Sequence, residues 1–545
     1  MNVQRLSVTM EPAGLPLDLV QILFSRIAER APVTHSPPQD ADLRLELTMD
    51  PTLDSESFRI EDAGHRGLRI TGDSLPGLLA GMGHFLRLSS FSETGLIPAS
   101  WRGISRARKP VRGVYFATHF FNYYHAAPEP EIQFYLEDLA LWGFNTLMVW
   151  FDRHHFKGLS DPAAQAMLSR LHGLLGAARR LGMQVGLCVL GNEAYADSPT
   201  ELRAEQGELW SFGVEMCPAK PGALDRMIRE YDETFLAFSD LQPDFLAIGP
   251  YDQGGCTCPQ CRPWGGRGFL RMVRHIAPVF KRYSSKGHII LSTWLFDHEH
   301  HRFKGDWPGL AQALDEKALD ADMILAGTHG RQVPDYLRTH PVPGALPLLG
   351  FPEISMRGMC PWGGFGANPM PEFLAGYWAE WGHRVTGGLA YSEGIYEDLN
   401  KAIMARLFWD DASPEETIRQ YIAYEFGPAV IDPVQNAIRI LEANQERPWE
   451  HGDFTFPHVR LILPPDRGSQ QALAALQAAE RHMNPNAREG WRWRLLILRA
   501  RIDAELFASQ GVVSPACETC FEELTRLYHA EQADFPVHPP TRSVR

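Results

Sequence analysis

Eight apolar segments recur along the middle of the chain, and most are separated by stretches with helical spacing, such as EIQFYLEDLALWG and AAQAMLSRLHGLLGAARRLG. The segments are GVYFATHF from Gly113, NTLMVWFD from Asn145, QVGLCVLGNE from Gln184, DFLAIGPYD from Asp244, HIILSTWLFD from His288, ADMILAGTHG from Ala321, ALPLLGFPE from Ala345 and TGGLAYSEG from Thr386. Continuous apolar strands that alternate with amphipathic helices indicate a parallel sheet covered on both faces. Eight such units predict a (β/α)8 TIM barrel.

A doubly wound sheet is the alternative interpretation of the same alternation. Such sheets usually carry a glycine-rich phosphate turn after the first strand. Here the first predicted strand leads into ATHFFNYYH, which is nothing like that turn. The sequence therefore favours the barrel.

The pattern changes on both sides of this region. Near the N-terminus, ESFRIED and GLRITGD flank a turn at Gly64 and predict a hairpin, and DSLPGLLAGMGHFLRL predicts a helix capped by Asp73 or Ser74. The segment WRGISRARKP is basic and has the character of a linker, and DASPEETIRQYIAYEFG begins a helical region. We predict an α/β fold with a small α/β domain at 1–108, the barrel at 109–400 and an α-helical C-terminal domain at 401–545.

The composition limits the partners. The 545 residues are 44% hydrophobic and 22% charged, which is typical of a soluble globular protein. A formal net charge of −14 disfavours nucleic acid and anionic membranes. The segment MNVQRLSVTMEPAG lacks the pattern of a signal peptide, and no run of about 18 apolar residues occurs, so we expect a cytoplasmic protein without a membrane partner. The helical C-terminal region could provide a homodimer contact.

Polar or aromatic side chains follow nearly every predicted strand. Catalytic groups of a barrel lie where the strands end. Two carboxylates in a mouth lined by Trp and Tyr suit glycoside cleavage, with one as a protonated acid and the other as a base or nucleophile. We predict Asp252 and Glu353 as this pair, with Glu393 as a third candidate that could exchange roles with either. The predicted substrate-binding residues are His119, Asp152, Arg153, His154, Glu193, Tyr251, Gln253, Trp294, His329, Trp362, Asn368 and Tyr391.

Each carboxylate also has a structural interpretation. Glu353 could form a salt bridge with Arg357, and Glu393 could cap a helix that begins near Glu397. The set of strand ends, taken together, still favours a pocket at this face of the barrel.

Three segments carry a resemblance to known families: ESFRIED…LRITGDSLPGLLAGMGHFLRL, FLAIGPYD and GGLAYSEGIYEDLNKAIMARLFWD. The chain resembles glycoside hydrolases of the family-20 hexosaminidase and family-67 α-glucuronidase type. The resemblance implies an accessory α/β domain, a catalytic barrel and, for the family-67 type, a helical C-terminal domain. It also implies an exo-acting glycosidase for an N-acetylhexosamine, a uronic acid or a related sugar.

The fourth strand departs from both families. Family-20 enzymes carry an Asp-Glu pair there, whereas this chain has Asp252-Gln253, and Gln cannot donate a catalytic proton. Family-67 enzymes carry a Glu acid on this strand and carboxylate bases on later strands. Asp252 and Glu353 could fill those places, with an Asp in place of the Glu.

The segment CTCPQC places Cys256, Cys258 and Cys261 just beyond Asp252. Structural zinc needs four nitrogen or sulfur ligands, and Cys217 in the preceding loop could be the fourth. A reducing compartment favours zinc over a disulfide, although free thiols are a further alternative. We predict a structural zinc that fastens the loop carrying Asp252, and no organic cofactor.

Two other functions fit the same residues. One is a non-catalytic carbohydrate-binding or sensor protein, which would not need two carboxylates about 5–10 Å apart. The other is a metal-dependent barrel hydrolase that uses His119, His154 or His329, although the adjacent His154 and His155 are not expected to share a metal.

Overall fold

The computed structural model describes residues 2–11, 18–120, 122–206, 211–251, 254–299, 301–327, 333–355, 368–445, 463–510 and 514–529. The N-terminal region forms a six-stranded mixed sheet in the order β2-β1-β3-β5-β4-β8, accompanied by two helices and a two-stranded hairpin. Its elements are β1 Arg5–Glu11, α1 Leu19–Ala28, β2 Thr34–His35, β3 Leu43–Met49, β4 Ser57–Asp62, β5 Gly67–Gly72, α2 Leu75–Leu88, β6 Ser90–Ser92, β7 Gly95–Ile97 and β8 Gly103–Arg106.

The predicted hairpin and helix of this region are confirmed. Strands β4 and β5 pair antiparallel around the turn at Gly64, where φ is +75°. Helix α2 begins after Ser74, whose hydroxyl accepts a hydrogen bond from the Gly77 amide at 3.4 Å. The prediction of a linker for WRGISRARKP is wrong in part, because β8 lies within it and pairs antiparallel with β4. Its side chains are exposed or half-buried, so this edge strand lacks an apolar signature.

Eight parallel strands close into a barrel in which β16 pairs with β9. All eight predicted strands are confirmed. They are β9 Val111–Phe116, β10 Thr146–Trp150, β11 Gln184–Leu190, β12 Phe245–Gly249, β13 His288–Ser292, β14 Met323–Gly327, β15 Leu348–Phe351 and β16 Gly387–Ser392. Most of their residues are buried, because one face lines the barrel interior and the other lies under the helices.

Helices surround the barrel and continue beyond it. The helices between or after the barrel strands are α3 Tyr123–Ala126, α4 Glu129–Trp142, α5 Pro162–Arg180, α6 Ala223–Ala237, α7 Phe269–Tyr283, α8 Asp306–Asp315, α9 Asp335–Thr339, α10 Pro371–Trp381 and α11 Asp398–Trp409. The C-terminal region is helical, as predicted, with α12 Pro414–Glu425, α13 Ile431–Ala443, α14 Ser469–Ala479, α15 Pro485–Glu489, α16 Trp491–Ala508 and α17 Pro515–Leu527. The predicted boundary at residue 400 falls inside α11. Among the described helices, none combines the length and the apolar character that crossing a bilayer requires.

An ion network of buried and half-buried side chains joins the three regions of the chain. Arg492 in α16 contacts Asp138 in α4 at 2.7 Å and Asp398 in α11 at 2.8 Å. Arg26 in α1 contacts the other oxygen of Asp138, also at 2.7 Å. Because removing one partner of a buried pair typically costs about 3–5 kcal/mol, these contacts fix how the N-terminal and C-terminal regions sit against the barrel.

Candidate active site

Inward-facing rings form an aromatic floor at the carboxyl end of the barrel. Its members are Tyr115, Trp150, Trp294, Phe351 and Tyr391. The ring centroids of Trp294 and Phe351 lie 6.0 Å apart, those of Phe351 and Tyr391 5.8 Å, and those of Tyr391 and Tyr115 5.7 Å. His119 connects Trp150 to this chain of rings, with its centroid 4.7 Å from Trp150 and 6.0 Å from Tyr115.

Two glutamates lie at the edge of this floor on adjacent strands. Side chains two residues apart on a strand point to the same side, so Glu353 follows the direction of Phe351 and Glu393 follows that of Tyr391. Glu353 also stands opposite Tyr391 in a bridge that extends the parallel pairing of β15 and β16. The register therefore directs both carboxylates into the mouth of the barrel as diagonal neighbours.

Glu353 is half-buried and receives two hydrogen bonds on one oxygen. The Ser355 amide donates to Oε1 at 2.7 Å, and the Ser355 hydroxyl donates to the same oxygen at 3.0 Å. Both contacts fix the orientation of the Glu353 carboxyl group.

Glu393 has a different environment. Its side chain is buried, and burial raises its pKa well above the ordinary 4.5, with further upward contributions from the charges of Glu353 and Glu397. The Tyr391 hydroxyl, 3.4 Å from Oε1, acts in the opposite direction. Glu393 therefore holds a proton at pH values where an exposed glutamate has lost it.

Glu397 positions the chain segment that carries Glu393. Its Oε1 accepts hydrogen bonds from the amides of Glu393 at 2.6 Å and Gly394 at 2.8 Å, and from the Ser392 hydroxyl at 2.7 Å. Lys401 lies 3.6 Å from the same oxygen. The structural alternative had Glu393 capping the helix near Glu397. Instead, Glu397 occupies the position just before α11, and its side chain accepts hydrogen bonds from the segment that carries Glu393.

The C-terminal region contacts the same segment from behind. The hydroxyl of Tyr528, just after α17, donates to the backbone carbonyl of Glu393 at 2.6 Å. The Tyr396 hydroxyl donates to the carbonyl of Leu524 at 2.7 Å and so fastens α17 in place. The position of Glu393 consequently depends on residues far along the chain.

The opposite wall of the mouth carries a second polar group. Glu193 is fully buried and accepts hydrogen bonds from Trp150 Nε1 at 3.1 Å, and its Oε1 lies 3.0 Å from Nδ1 of His154. Phe212 stacks on His154 with the ring centroids 3.3 Å apart. This wall therefore combines stacked aromatic rings with a buried carboxylate.

Asp152 and two histidines complete this wall. Asp152 is fully buried, which raises its pKa, while a contact of 3.1 Å with Nε2 of His155 acts in the opposite direction. Burial lowers the pKa of His119 to about 3, with smaller contributions from His154 and His155. The His119 ring is therefore neutral. Its Nδ1 and the Tyr115 hydroxyl form a hydrogen bond of 3.2 Å.

Two groups of described residues have the arrangement that a metal ion requires. Cys217, Cys256, Cys258 and Cys261 form the first, and Asp152, His154 and His155 form the second, with the potential ligand atoms of each group within 4.8 Å of one another. The rings of His154 and His155 lie 4.0 Å apart, so the expectation that these adjacent histidines diverge is not met. In the second group, the contacts with Glu193 and Asp152 already engage one nitrogen of each ring.

Three predicted substrate-binding residues lie away from the aromatic floor. The Tyr251 hydroxyl donates to Asp306 at 3.1 Å, because the chain leaves the strand direction at Gly249 and Pro250. Arg153 lies 3.9 Å above the ring of Tyr231 in α6 and supports the Glu193 carbonyl from outside the barrel. The Asn368 side chain accepts a hydrogen bond from Arg499 in α16, so it belongs to the contact with the C-terminal helices. Asp252, Gln253, His329 and Trp362 lie outside the described residues.

Several residues of the site are absent from the sequence prediction. The alternation of side chains along a strand would have indicated Trp150 and Phe351, which lie two residues before Asp152 and Glu353, and Tyr115, which lies four residues before His119. Phe212 lies in a long loop and Glu397 at the start of a helix, where no periodicity specifies an inward direction.

Solved structures share this fold at low sequence identity. A family 89 glycoside hydrolase from Clostridium perfringens, in complex with 2-acetamido-1,2-dideoxynojirmycin, aligns with a TM-score of 0.59 and 12% identity over 89% of this chain and 62% of that enzyme. A family 115 4-O-methyl-α-glucuronidase with specificity for decorated arabinogalactans aligns with a TM-score of 0.59 and 8% identity over 98% of this chain and 78% of that one. A family 20 exo β-N-acetylglucosaminidase from Vibrio harveyi, in complex with N-acetylglucosamine, aligns with a TM-score of 0.51 and 13% identity over 82% and 76%.

These similarities concern the fold. The chain spans less than two thirds of the length of the family 89 enzyme. No protein-family model and no curated protein sequence matches the chain. The predicted resemblance to glycoside hydrolases with a barrel and accessory regions is therefore confirmed at the level of architecture.

Proposed function

We propose that this protein is an exo-acting glycoside hydrolase in which Glu393 is the acid and Glu353 is the base or nucleophile. The observation that carries the proposal is the pair of glutamates on adjacent strands with unequal environments. Glu393 is buried and has a raised pKa, whereas Glu353 is half-buried and oriented by two donors. Carboxyl groups whose environments separate their pKa values are the usual means of assigning one acid and one base.

The arrangement accounts for each proton of the reaction. Glu393 donates its proton to the glycosidic oxygen while the bond from that oxygen to the anomeric carbon breaks. Glu353 either removes a proton from the attacking water or attacks the anomeric carbon itself, and in the second case water later releases the sugar. Water supplies the new hydroxyl group, and Glu393 regains a proton before the next turnover.

The lining of the mouth favours an uncharged sugar. The aromatic floor offers flat apolar surfaces for the C–H face of a sugar ring, and the buried Glu193 carboxylate holds Trp150 and His154 in place beside it. Among the described residues, the carboxyl groups around the mouth are those of Asp152, Glu193, Glu353 and Glu393. This acidic lining favours an N-acetylhexosamine or another neutral sugar over a uronic acid, because the carboxylate of a uronic acid would be repelled by the charged carboxylates of the mouth.

The test is sugar release from a panel of aryl glycosides and natural oligosaccharides by the native protein and three variants. Glu353→Gln and Glu393→Gln are expected to lose about 10²–10⁴-fold in kcat, as removal of an acid or base typically does. Glu380→Gln changes an exposed carboxylate on α10 and should retain full activity. Glu393→Gln alone should keep a near-native kcat/KM on aryl glycosides whose leaving group departs without protonation, because kcat/KM reports the bond-breaking step.

Other outcomes would contradict the proposal. Binding of sugars without release by the native protein would indicate the carbohydrate-binding or sensor function instead. Equal losses in Glu380→Gln would show that the effects come from misfolding. Release that needs an added metal and disappears in His155→Ala would indicate metal-dependent hydrolysis at the Asp152, His154 and His155 group. A loss of activity in Asp252→Asn as large as that in Glu353→Gln would favour the predicted pair of Asp252 and Glu353 over the pair proposed here.

A further inference from the structure

Four cysteine side chains from two loops converge outside the barrel mouth. Cys217 lies between β11 and α6, and Cys256, Cys258 and Cys261 follow β12. The Sγ atom of Cys217 is 3.7 Å from that of Cys258 and 3.8 Å from that of Cys261, and all four sulfurs lie within 4.8 Å of one another. All four side chains are buried. We propose that these cysteines bind one zinc ion, and that this ion fixes the wall of the mouth that carries Glu193.

The spacing of the sulfurs matches a single tetrahedral ion. Zinc–sulfur bonds of about 2.3 Å place the four sulfurs of a regular tetrahedron about 3.8 Å apart. The two distances from Cys217 agree with that edge. A disulfide would require about 2.05 Å, so neither of these pairs is placed as a disulfide.

The backbone around the cysteines is arranged as a ligand-bearing turn. The Cys261 amide donates to the Cys258 carbonyl at 3.0 Å, which turns the two sulfurs towards one side. The Thr257 amide donates to the carbonyl of Glu205 at 2.7 Å and joins this turn to the loop that precedes Cys217. Both loops are therefore held together beside the sulfurs by ordinary hydrogen bonds, and a metal would link them directly.

Asn192 connects the cysteine group to the active site. Its Oδ1 accepts from the Gly255 amide at 2.9 Å, and its Nδ2 donates to the carbonyls of Gly255 at 2.9 Å and Met216 at 3.0 Å. Gly255 and Met216 directly precede Cys256 and Cys217, and Asn192 directly precedes Glu193. A displacement of either cysteine loop would therefore be transmitted to Glu193 through a single side chain.

A second connection leads from Cys217 to the ring that covers His154. The Glu215 carboxylate, two residues before Cys217, accepts from the amides of Phe212 at 2.6 Å and Gly213 at 3.1 Å. Phe212 in turn stacks on His154. Zinc at the cysteines would thus also hold the loop that closes one side of the mouth; this effect on activity rests on the proposed function, whereas the binding of zinc does not.

Metal analysis of the full chain tests the site. Protein purified without chelators should contain one zinc per chain by inductively coupled plasma mass spectrometry. Cys261→Ser should lose at least tenfold of this zinc. Cys520→Ser, in the other C-x-x-C pair on α17, and His155→Ala, in the second metal-capable group, should keep it.

Spectroscopy keeps the proposal testable if Cys261→Ser fails to fold. X-ray absorption of the native protein should show four sulfurs at about 2.3 Å from zinc. Co²⁺ introduced after chelation should give the intense sulfur-to-cobalt charge-transfer bands of a tetrathiolate site. Metal-free protein after growth with added zinc, an iron-filled site or a shell of nitrogen and oxygen ligands would overturn the inference.

Activity separates this inference from the proposed function. Chelation should reduce sugar release by about tenfold or more, since displacements of about 1 Å at a site can cost two orders of magnitude. Tetrathiolate zinc in a protein that releases no sugar would leave the metal site standing and overturn the proposed function. Sugar release by a protein purified without zinc would overturn the metal site and leave the proposed function standing.

Discussion

Replacement of Glu397 by Gln should move the alkaline limb of the pH–rate profile to lower pH. Under the proposed assignment Glu393 acts as an acid only while it is protonated, so activity should fall as pH rises through its pKa. The charge of Glu397 is among the causes that raise this pKa, after burial and the charge of Glu353. Gln has nearly the same shape without the charge, so the pKa of Glu393 falls and the proton is lost at lower pH.

The cost in stability follows from the contacts of Glu397. Its Oε1 accepts three hydrogen bonds and lies near Lys401. Hydrogen bonds to a charged group contribute about 1.5–3 kcal/mol and those between neutral groups about 0.5–1.5 kcal/mol, so Gln should lower the free energy of unfolding by about 3 kcal/mol. Glu397→Ala also leaves the amides of Glu393 and Gly394 without their acceptor and should cost more.

The assay is kcat/KM across pH for a substrate whose leaving group needs protonation, namely the natural oligosaccharide that the native protein cleaves best. Glu380→Gln serves as the control, because it removes one carboxylate from the exposed side of α10. Thermal unfolding of each variant shows that the protein assayed is folded. A folded Glu397→Gln protein whose alkaline limb is unchanged, or lies at higher pH, would refute the assignment of Glu393 as the acid.

Three further changes test the site. Glu393→Gln should raise the melting temperature at neutral pH and leave it unchanged below pH 4.5. The raised pKa of Glu393 makes the native protein less stable as pH rises above 4.5, whereas Gln has no proton to lose. A lower melting temperature of the variant at neutral pH would contradict this. Tyr528→Phe should lower the free energy of unfolding by about 1–2 kcal/mol and reduce kcat. The control is Tyr283→Phe, which removes a hydroxyl that donates to Asp232 near the surface and should leave kcat unchanged. Equal kcat values for the two variants would argue against support of the Glu393 segment by Tyr528. Trp294→Ala should raise KM by up to about tenfold through loss of stacking, measured on the same glycoside, and an unchanged KM would place the sugar elsewhere.

The barrel was readable from the sequence because its strands are buried on both faces. Such strands appear as continuous apolar runs, and the helices between them as amphipathic ones. Strand β8 was not readable, since it lies at the edge of the N-terminal sheet and carries Arg106 and the exposed Ile104. The position of this edge strand depends on its hydrogen bonds to β4, and such bonds produce no periodic pattern of apolar residues in the sequence.

The direction of a candidate side chain could be predicted where its residue directly follows a strand. Glu353 and Glu393 continue the alternation of β15 and β16, so their direction could be predicted. Tyr251 follows Pro250, where the alternation has ended, and Asn368 lies far beyond the end of β15. The role of Glu397 depends on the turn between β16 and α11, a geometry that residue types alone do not specify.

The hydrogen bond from Tyr528 to Glu393 has a consequence for synthesis on the ribosome. Tyr528 is added 135 residues after Glu393, which takes roughly ten seconds at about 5–20 residues per second. Arg492 is added 354 residues after Asp138, its partner in the ion network. Between the addition of Glu393 and that of Tyr528, all eight strands of the barrel already exist, but the Glu393 segment lacks Tyr528, and Asp138 lacks Arg492 for most of that time. The Glu393 segment should therefore reach the position that it has in the folded protein only when α16 and α17 dock.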